Sequence, residues 1–437
     1  MHRYADECTI RAPLNMASVG PLPFVRYAYY AFIFSIPIET LDIGIERGLF
    51  SLSKLAGIMF IATALLQPQV CFRKPPKPIW CFLSYILVCV FLASLHATKA
   101  MGTIYIRLFT LVMMVVLFWV SYSLLQHKTI VKGALLTLIV SCVLLATVMI
   151  GGGGMAVDQG RVTALSQNAN ALAATLSLGL LALLGLAHGR DDTDRRIGLL
   201  VWLSFGFLAV AIVSTGSRGP MLGLLAGILL LTMKRGNSAL RFKLCLFVAM
   251  AIAVLVWASY ENDAVRLRWE KAFMKGNLSR REEIIPEAWN MFMERPLLGW
   301  GPVSHYVELG ARFDRPSLDT HNLYLWIMTE AGLLGAIPFF IGLWLCWRAA
   351  WNATYGPEGS LPMAMLTCLL ILNLSGSEHN RKLFWVVLAY SLASESFRSQ
   401  RWPMPHSIPS IEKTQSSSRI CHTPAGSFCT PSLIDQL

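Results

Sequence analysis

Charge is scarce in this sequence. Asp, Glu, Lys and Arg make up 14% of its 437 residues, where soluble domains carry roughly 25%, and the deficit excludes an ordinary water-soluble globular fold. Ligand spacing is missing from the ten cysteines. Those such as Cys81, Cys89, Cys142, Cys245, Cys346 and Cys368 lie in apolar runs and read as small buried hydrophobes, forming neither a disulfide framework nor a metal cluster. Residues 1–24, with Arg3 and Arg11, contain no short apolar core ahead of a small-residue cleavage site, so they read as a cytoplasmic lead before a retained first span. No internal repeat of fixed period is evident, which argues against transporters built from two related halves. No basic patch interleaved with stacking aromatics stands outside the apolar runs, so the net charge of +12 does not indicate nucleic acid.

What is abundant is hydrocarbon. The chain is 55% hydrophobic with a mean hydropathy of +0.54, gathered in runs of about 18–25 residues, the helix length that crosses a hydrocarbon core of roughly 30 Å. The short alternating strands of a β-barrel are absent. The expectation is an all-α polytopic integral membrane protein of about 12 transmembrane helices, near 25–41, 50–67, 78–96, 104–125, 130–150, 169–188, 197–214, 218–233, 241–259, 322–350, 361–377 and 382–397. Lys and Arg cluster in alternate connections, at Arg73, Lys74 and Lys77, Lys128 and Lys132, Arg190, Arg195 and Arg196, and Lys234, Arg235, Arg241 and Lys243. The positive-inside rule puts that set, and both termini, in the cytoplasm. Residues 25–259 then hold helices 1–9, 260–320 form one large extracytoplasmic helical loop, 321–397 hold helices 10–12, and the Ser-, Pro- and Thr-rich tail 398–437 reads as disordered.

The polar interruption from Tyr260 to Gly332 and the short loop before it carry the candidate chemistry. In Ser214-Thr215-Gly216-Ser217-Arg218-Gly219-Pro220 an arginine sits between two apolar runs, flanked by glycines that permit close approach, and guanidinium suits bidentate phosphate recognition. An arginine snorkelling from a helix end is the plainer reading. Ser279-Arg280-Arg281-Glu282-Glu283 reads as a helix start, with Ser279 as cap and the acidic pair completing a capping box, and the helix runs to about Glu294. Arg280 and Arg281 would lie beside backbone amides that favour anions, or would pair with Glu283 and Glu287 on a solvated face. His321 stands where hydrophobicity resumes and can act as a general base on a hydroxyl delivered at the membrane surface, although a lone interfacial His is more often structural. Glu330, nine residues on, falls on roughly the opposite face and deeper, a packing or orienting group rather than a partner of His321. Asp191-Asp192-Thr193-Asp194 contains an Asp-x-Asp of the kind that holds a divalent ion, but it falls in a cytoplasmic loop between Arg190 and Arg195-Arg196 and reads as a solvated charge run.

Ser217-Arg218-Gly219, an arginine opening an extracytoplasmic helix, Pro296-Leu297-Leu298-Gly299-Trp300-Gly301, and His321-Asn322-Leu323-Tyr324-Leu325 with Glu330-Ala331-Gly332 behind together resemble the O-antigen ligase/polymerase superfamily of bacterial inner-membrane glycosyltransferases. Each motif is short; their order and spacing from Ser214 to Gly332 carry the resemblance. It implies that His321 and two arginines, Arg218 and one of the Arg280–Arg281 pair, are the functional residues; spacing back from Pro296 favours Arg281. Ile285 stands where the family commonly has Trp, and Pro286 follows at the helix start.

The implied reaction is metal-independent and needs no cofactor. It is an inverting transfer of O-antigen polysaccharide from undecaprenyl diphosphate to a sugar hydroxyl of lipid A-core, at the periplasmic face of the inner membrane. Arg218 and Arg281, with Arg280 as alternate, would bind the diphosphate and His321 would deprotonate the acceptor. An O-antigen polymerase or a protein O-oligosaccharyltransferase would use the same donor. A transporter of anionic solutes is the reading from another class, disfavoured because the spans hold few charges apart from Lys54 and Arg107.

Overall fold

The computed structural model describes residues 20–39, 51–95, 101–157, 161–165, 167–188, 195–233 and 280–398, with isolated positions between 253 and 274. The expected span at 241–259, the Asp191–Asp194 run, most of 260–279 and the tail after 398 lie outside the described residues. The chain begins with α1 (Pro23–Ser35), α2 (Leu52–Leu65), α3 (Pro68–Cys71), α4 (Lys77–Leu95), α5 (Met101–Leu125) and α6 (Lys128–Val148). A hairpin follows, β1 (Gly154–Val157) antiparallel to β2 (Arg161–Ala164) with Val157 opposite Arg161. Then come α7 (Ala169–His188), α8 (Arg195–Ser214), α9 (Arg218–Met233), α10 (Arg281–Glu294), α11 (Ser304–Ala311), α12 (Leu323–Ala353), α13 (Leu361–Leu372) and α14 (Lys382–Ala393).

Among the described residues, helices occupy the apolar runs. Five of the described helices are long and apolar enough to cross a membrane, Lys77–Leu95, Met101–Leu125, Lys128–Gly152, Ala169–Ala187 and Leu323–Ala353, and Leu52–Leu65, Gly198–Ser214, Arg218–Thr232 and Leu361–Leu372 are shorter apolar helices. Their outer faces stay apolar: Leu87 is 68% exposed and Ile106 69%, surface that belongs in hydrocarbon. Inside, α12 lies along α4, α13 along α9 and α14 along α5. Phe82 makes edge-to-face contacts with Phe118, Phe339 and Trp385 and so ties α4 to α5, α12 and α14. Each such pair is worth about 0.5–1.5 kcal/mol beyond its buried area. Cys71, Cys89, Cys142, Cys346 and Cys368 are buried free thiols, as small hydrophobes would be.

The feature that positions the site is a break in α12. At Gly332 the backbone turns to φ 54, ψ −162, and the turn Pro296–Gly301 fills the gap. Trp300 N–H donates to the Thr329 carbonyl (2.8 Å) and Gly301 N–H to that of Glu330 (2.9 Å), while Leu333 and Leu334 donate to the carbonyls of Pro296 (2.8 Å) and Leu297 (3.2 Å). Main-chain groups freed by a break at membrane depth need partners of this kind. Gly299 (φ 66) and Gly332 face each other so closely that a Cβ on Gly332 would overlap the Leu297 carbonyl. The Pro/Gly turn and the Glu-Ala-Gly stretch of the sequence are the two halves of one joint.

Candidate functional site

At one end of the bundle the chain termini of many helices are knotted together by polar contacts. Glu39, just past α1, meets Lys382 at 3.2 Å and Arg381 at 3.7 Å at the start of α14, and Gln167 donates to the Pro37 carbonyl. Within this end, residues 373–377, which link α13 to α14, act as a hub. The buried Asn373 offers its carbonyl to Leu323 N–H (2.9 Å) at the start of α12 and its Oδ1 to Glu378 N–H (2.9 Å).

Three of the stretches picked from the sequence touch this hub, through Arg281, through Gly219 beside Arg218, and through Asn322 beside His321. Arg281, the first residue of α10, donates from Nη2 to the Ser375 carbonyl at 2.9 Å. Arg218 opens α9, and its neighbour Gly219 lies against Ser375 so tightly that any side chain there would collide with the serine hydroxyl. His321 immediately precedes Asn322, whose side chain caps α12 by accepting from Tyr324 N–H (2.9 Å) and Leu325 N–H (3.1 Å), and whose Nδ2 donates to the Leu374 carbonyl (3.3 Å). Asp319 Oδ1 accepts from His321 N–H (2.6 Å) and from the Ser377 hydroxyl (2.8 Å). That clasp holds His321 in the left-handed region, φ 50, a conformation that costs a non-glycine residue roughly 1–2 kcal/mol. Strain of this kind persists only where surrounding contacts over-determine it.

The site's electrostatics follow from this packing. Burial pushes the His321 imidazole below its ordinary pKa, the nearby Arg281 guanidinium pushes the same way, and Asp319 opposes both. The ring is therefore neutral at neutral pH, free to accept a proton. Asp319 Oδ1 lies 4.0 Å from His321 Nδ1, too far for a hydrogen bond but close enough to stabilise an imidazolium once formed. A neutral imidazole beside a guanidinium can take a proton while its neighbour holds an anion.

Arg280 does not share the site. It is exposed, pairs with Glu283 at 3.7 Å on the outside of α10, and stands at the helix start with φ 66 and no side-chain cap. The expected capping box is thus not what starts this helix: Arg280, not Ser279, is the cap residue, and Ser279 lies outside the described residues. Glu287 takes Arg312 as its partner at 2.6 Å, in a cluster with Glu294 and Glu308. The helix continues through Pro286 to Glu294, so the proline neither shortens nor ends it.

Other residues of the site went unread in the sequence. Arg161, on β2, donates to the Thr215 carbonyl (3.1 Å), the Ser217 hydroxyl (2.8 Å) and Asn170 (2.8 Å), and so braces the loop before Arg218. Asp319 had a local signal, because an Asp accepting from the amide two residues on is a recognised turn; Ser375 and Asn373 had none. Glu330, read in the sequence as a packing or orienting group, has partners that the sequence did not indicate. It is fully buried, accepts hydrogen bonds from Tyr85 and from Trp326 Nε1 (3.2 Å), and pairs with Arg107 at 3.4 Å. Arg107 reaches His379 (2.6 Å) and Asn380 as well. Among the described residues the partners of Glu330 are thus Tyr85, Trp326 and Arg107, and His321 is not one of them.

Residues 203–340 match the family model described as O-antigen ligase. No curated protein matches the chain significantly. The matched stretch runs from α8 across the loop of Arg218, through α10 and α11 and the Pro296–Gly301 turn, to His321 and the broken helix α12; the hub at 373–377 lies beyond it. Over this stretch, which carries the motifs in the order the family has them, the chain is similar to the O-antigen ligase family.

Proposed function

We propose that the chain is an O-antigen ligase, transferring polysaccharide from undecaprenyl diphosphate to a sugar hydroxyl of lipid A-core at the periplasmic face of the inner membrane. The observation that carries the reading is the gathering of Arg281, Asn322 beside His321, and the Arg218 turn around residues 373–377. In this mechanism Arg218 and Arg281 neutralise the charge that develops on the departing diphosphate, a preorganised electrostatic stabilisation that needs no metal. His321, neutral and next to the site, removes the acceptor hydroxyl's proton as the oxygen attacks the anomeric carbon opposite the leaving group. The C–O bond to phosphate breaks, the new glycosidic bond forms with inversion, and the proton rests on the imidazole, steadied by Asp319.

Acceptor choice separates this activity from polymerisation, which uses the same donor with a second lipid-linked glycan as acceptor. The deciding experiment is a knockout in the native background. Accumulation of full-length lipid-linked polymer together with bare lipid A-core supports the ligase; accumulation of single repeat units makes the chain a polymerase.

A further inference from the structure

Next to the site, the same end of the bundle holds a pocket of about 280 Å³. Thr103, Ile106, Arg107 and Thr110 line one wall from α5; Val303, Tyr306 of α11, Trp326 of α12 and Asn380 complete it. Its volume sits just under the range of drug-sized ligand sites, enough for one ring and too small for a chain. Beside the apolar Ile106 and Val303, its polar groups are two hydroxyls, a phenol and the Asn380 carboxamide, whose oxygen accepts from Arg107; Arg107, the one charge in the lining, also faces Glu330. Such a lining recognises a hydroxylated ring better than a multiply charged anion. Tyr306 and Trp326 stack at 5.8 Å with an interplanar angle of 29°, presenting aromatic surface of the kind that covers the C–H face of a sugar.

The outer side of the same helix tells what the ring is attached to. Thr103, Arg107 and Thr110 form one stripe of α5 at helical spacing; beside it Tyr105 and Phe109 are 63% and 64% exposed, and Ile106, at the pocket's edge, is 69% exposed. The pocket mouth therefore borders apolar surface suited to acyl chains. Trp326 is one helical turn from Asn322, and Asn380 follows the 373–377 hub, so an occupant here is a neighbour of the His321 site without sharing its residues.

We propose that this pocket binds a single sugar ring of a membrane-anchored glycolipid, with the lipid's tails lying along α5. The inference rests on the transferase reading for its purpose, holding the lipid-borne acceptor beside the donor site, but its test reads binding alone. Purified wild-type protein in nanodiscs is titrated with monoglucosyl diacylglycerol, diacylglycerol and phosphatidylglycerol, and retained lipid is counted by native mass spectrometry. The glucosyl lipid is expected to be retained about tenfold over diacylglycerol. T103W, which fills the pocket from an exposed position, abolishes that preference, and the isosteric T103V/T110V pair reduces it severalfold with an unchanged melting profile; Arg281→Ala keeps it. Equal retention of diacylglycerol, or an unaltered preference in both T103W and T103V/T110V, overturns the site. Phosphatidylglycerol bound as tightly as the glucosyl lipid and lost in T103W overturns the sugar assignment in favour of a lipid phosphate. Loss of glycan transfer in His321→Ala tests the transferase reading separately.

Discussion

Arg281 and Arg280 are adjacent in sequence and opposite in fate: Arg281 donates to the Ser375 carbonyl at 2.9 Å, 94 residues along the chain, while Arg280 pairs with Glu283 on the exposed side of the same helix. The first is held by another element of the fold. The second is held by its own helix, an arrangement worth about 0.3–0.5 kcal/mol.

Arg281→Ala is therefore expected to abolish glycan transfer, and Arg281→Lys to restore little, since an ammonium cannot reproduce the planar fork of a guanidinium. Arg280→Ala is expected to stay within a few-fold of wild type. O-antigen ladders from a complemented deletion strain read both; equal loss in the two variants would reassign the functional arginine.

His321→Ala is expected to lower transfer by about 10²–10⁴-fold, the usual worth of a general base. Because burial and Arg281 hold the His321 pKa below its ordinary value, the active neutral form persists to lower pH than for a free imidazole. Activity of purified protein should stay flat on the acid side of neutrality and fall only below pH ~6.5, the unperturbed value. Asp319 raises that pKa, so Asp319→Asn should carry the acid limb to still lower pH. A limb that moves upward would contradict the assigned electrostatics.

Gly332→Ala is expected to destabilise strongly, because φ 54 disfavours a side chain and the added methyl meets the Leu297 carbonyl. The left-handed backbone costs roughly 1–2 kcal/mol and the overpacking about 1–3 kcal/mol more. Gly206→Ala, in α8 with open space around it, should be neutral or slightly stabilising. Melting of the two variants in the same detergent gives the comparison.

Glu330→Gln or Arg107→Met alone leaves a buried charge without its partner and should cost about 3–5 kcal/mol. The double variant is expected to recover part of that loss. Additive losses in the thermal melts would mean that the two side chains do not support each other.

The helices were legible because a span must be apolar over its whole length, so hydropathy marks it from Phe82 through Trp385 without knowledge of neighbours. His321, Arg218 and Arg281 stand out in the sequence through the family pattern and through residue chemistry at an interface. The hub does not. Ser375 contributes a main-chain carbonyl, which every residue has, and Arg161 reaches Thr215 and Ser217 across more than fifty residues. Glu330 looked like a packing group because its partners, Tyr85 and Arg107, come from helices 245 and 223 residues away. The helix begins one residue later than the capping box at Ser279 implies, with Arg280 as its cap and Arg281 reaching the Ser375 carbonyl.

The joint between Gly299 and Gly332 also limits how such enzymes can be recombined. A segment that reads as a removable extramembrane cassette is mortised into the span that follows it, through four main-chain bonds. A chimaera that imports residues 260–320 from a relative inherits only one side of that seam, and specificity could be exchanged between relatives only by moving the turn and the broken helix as a single cut of chain.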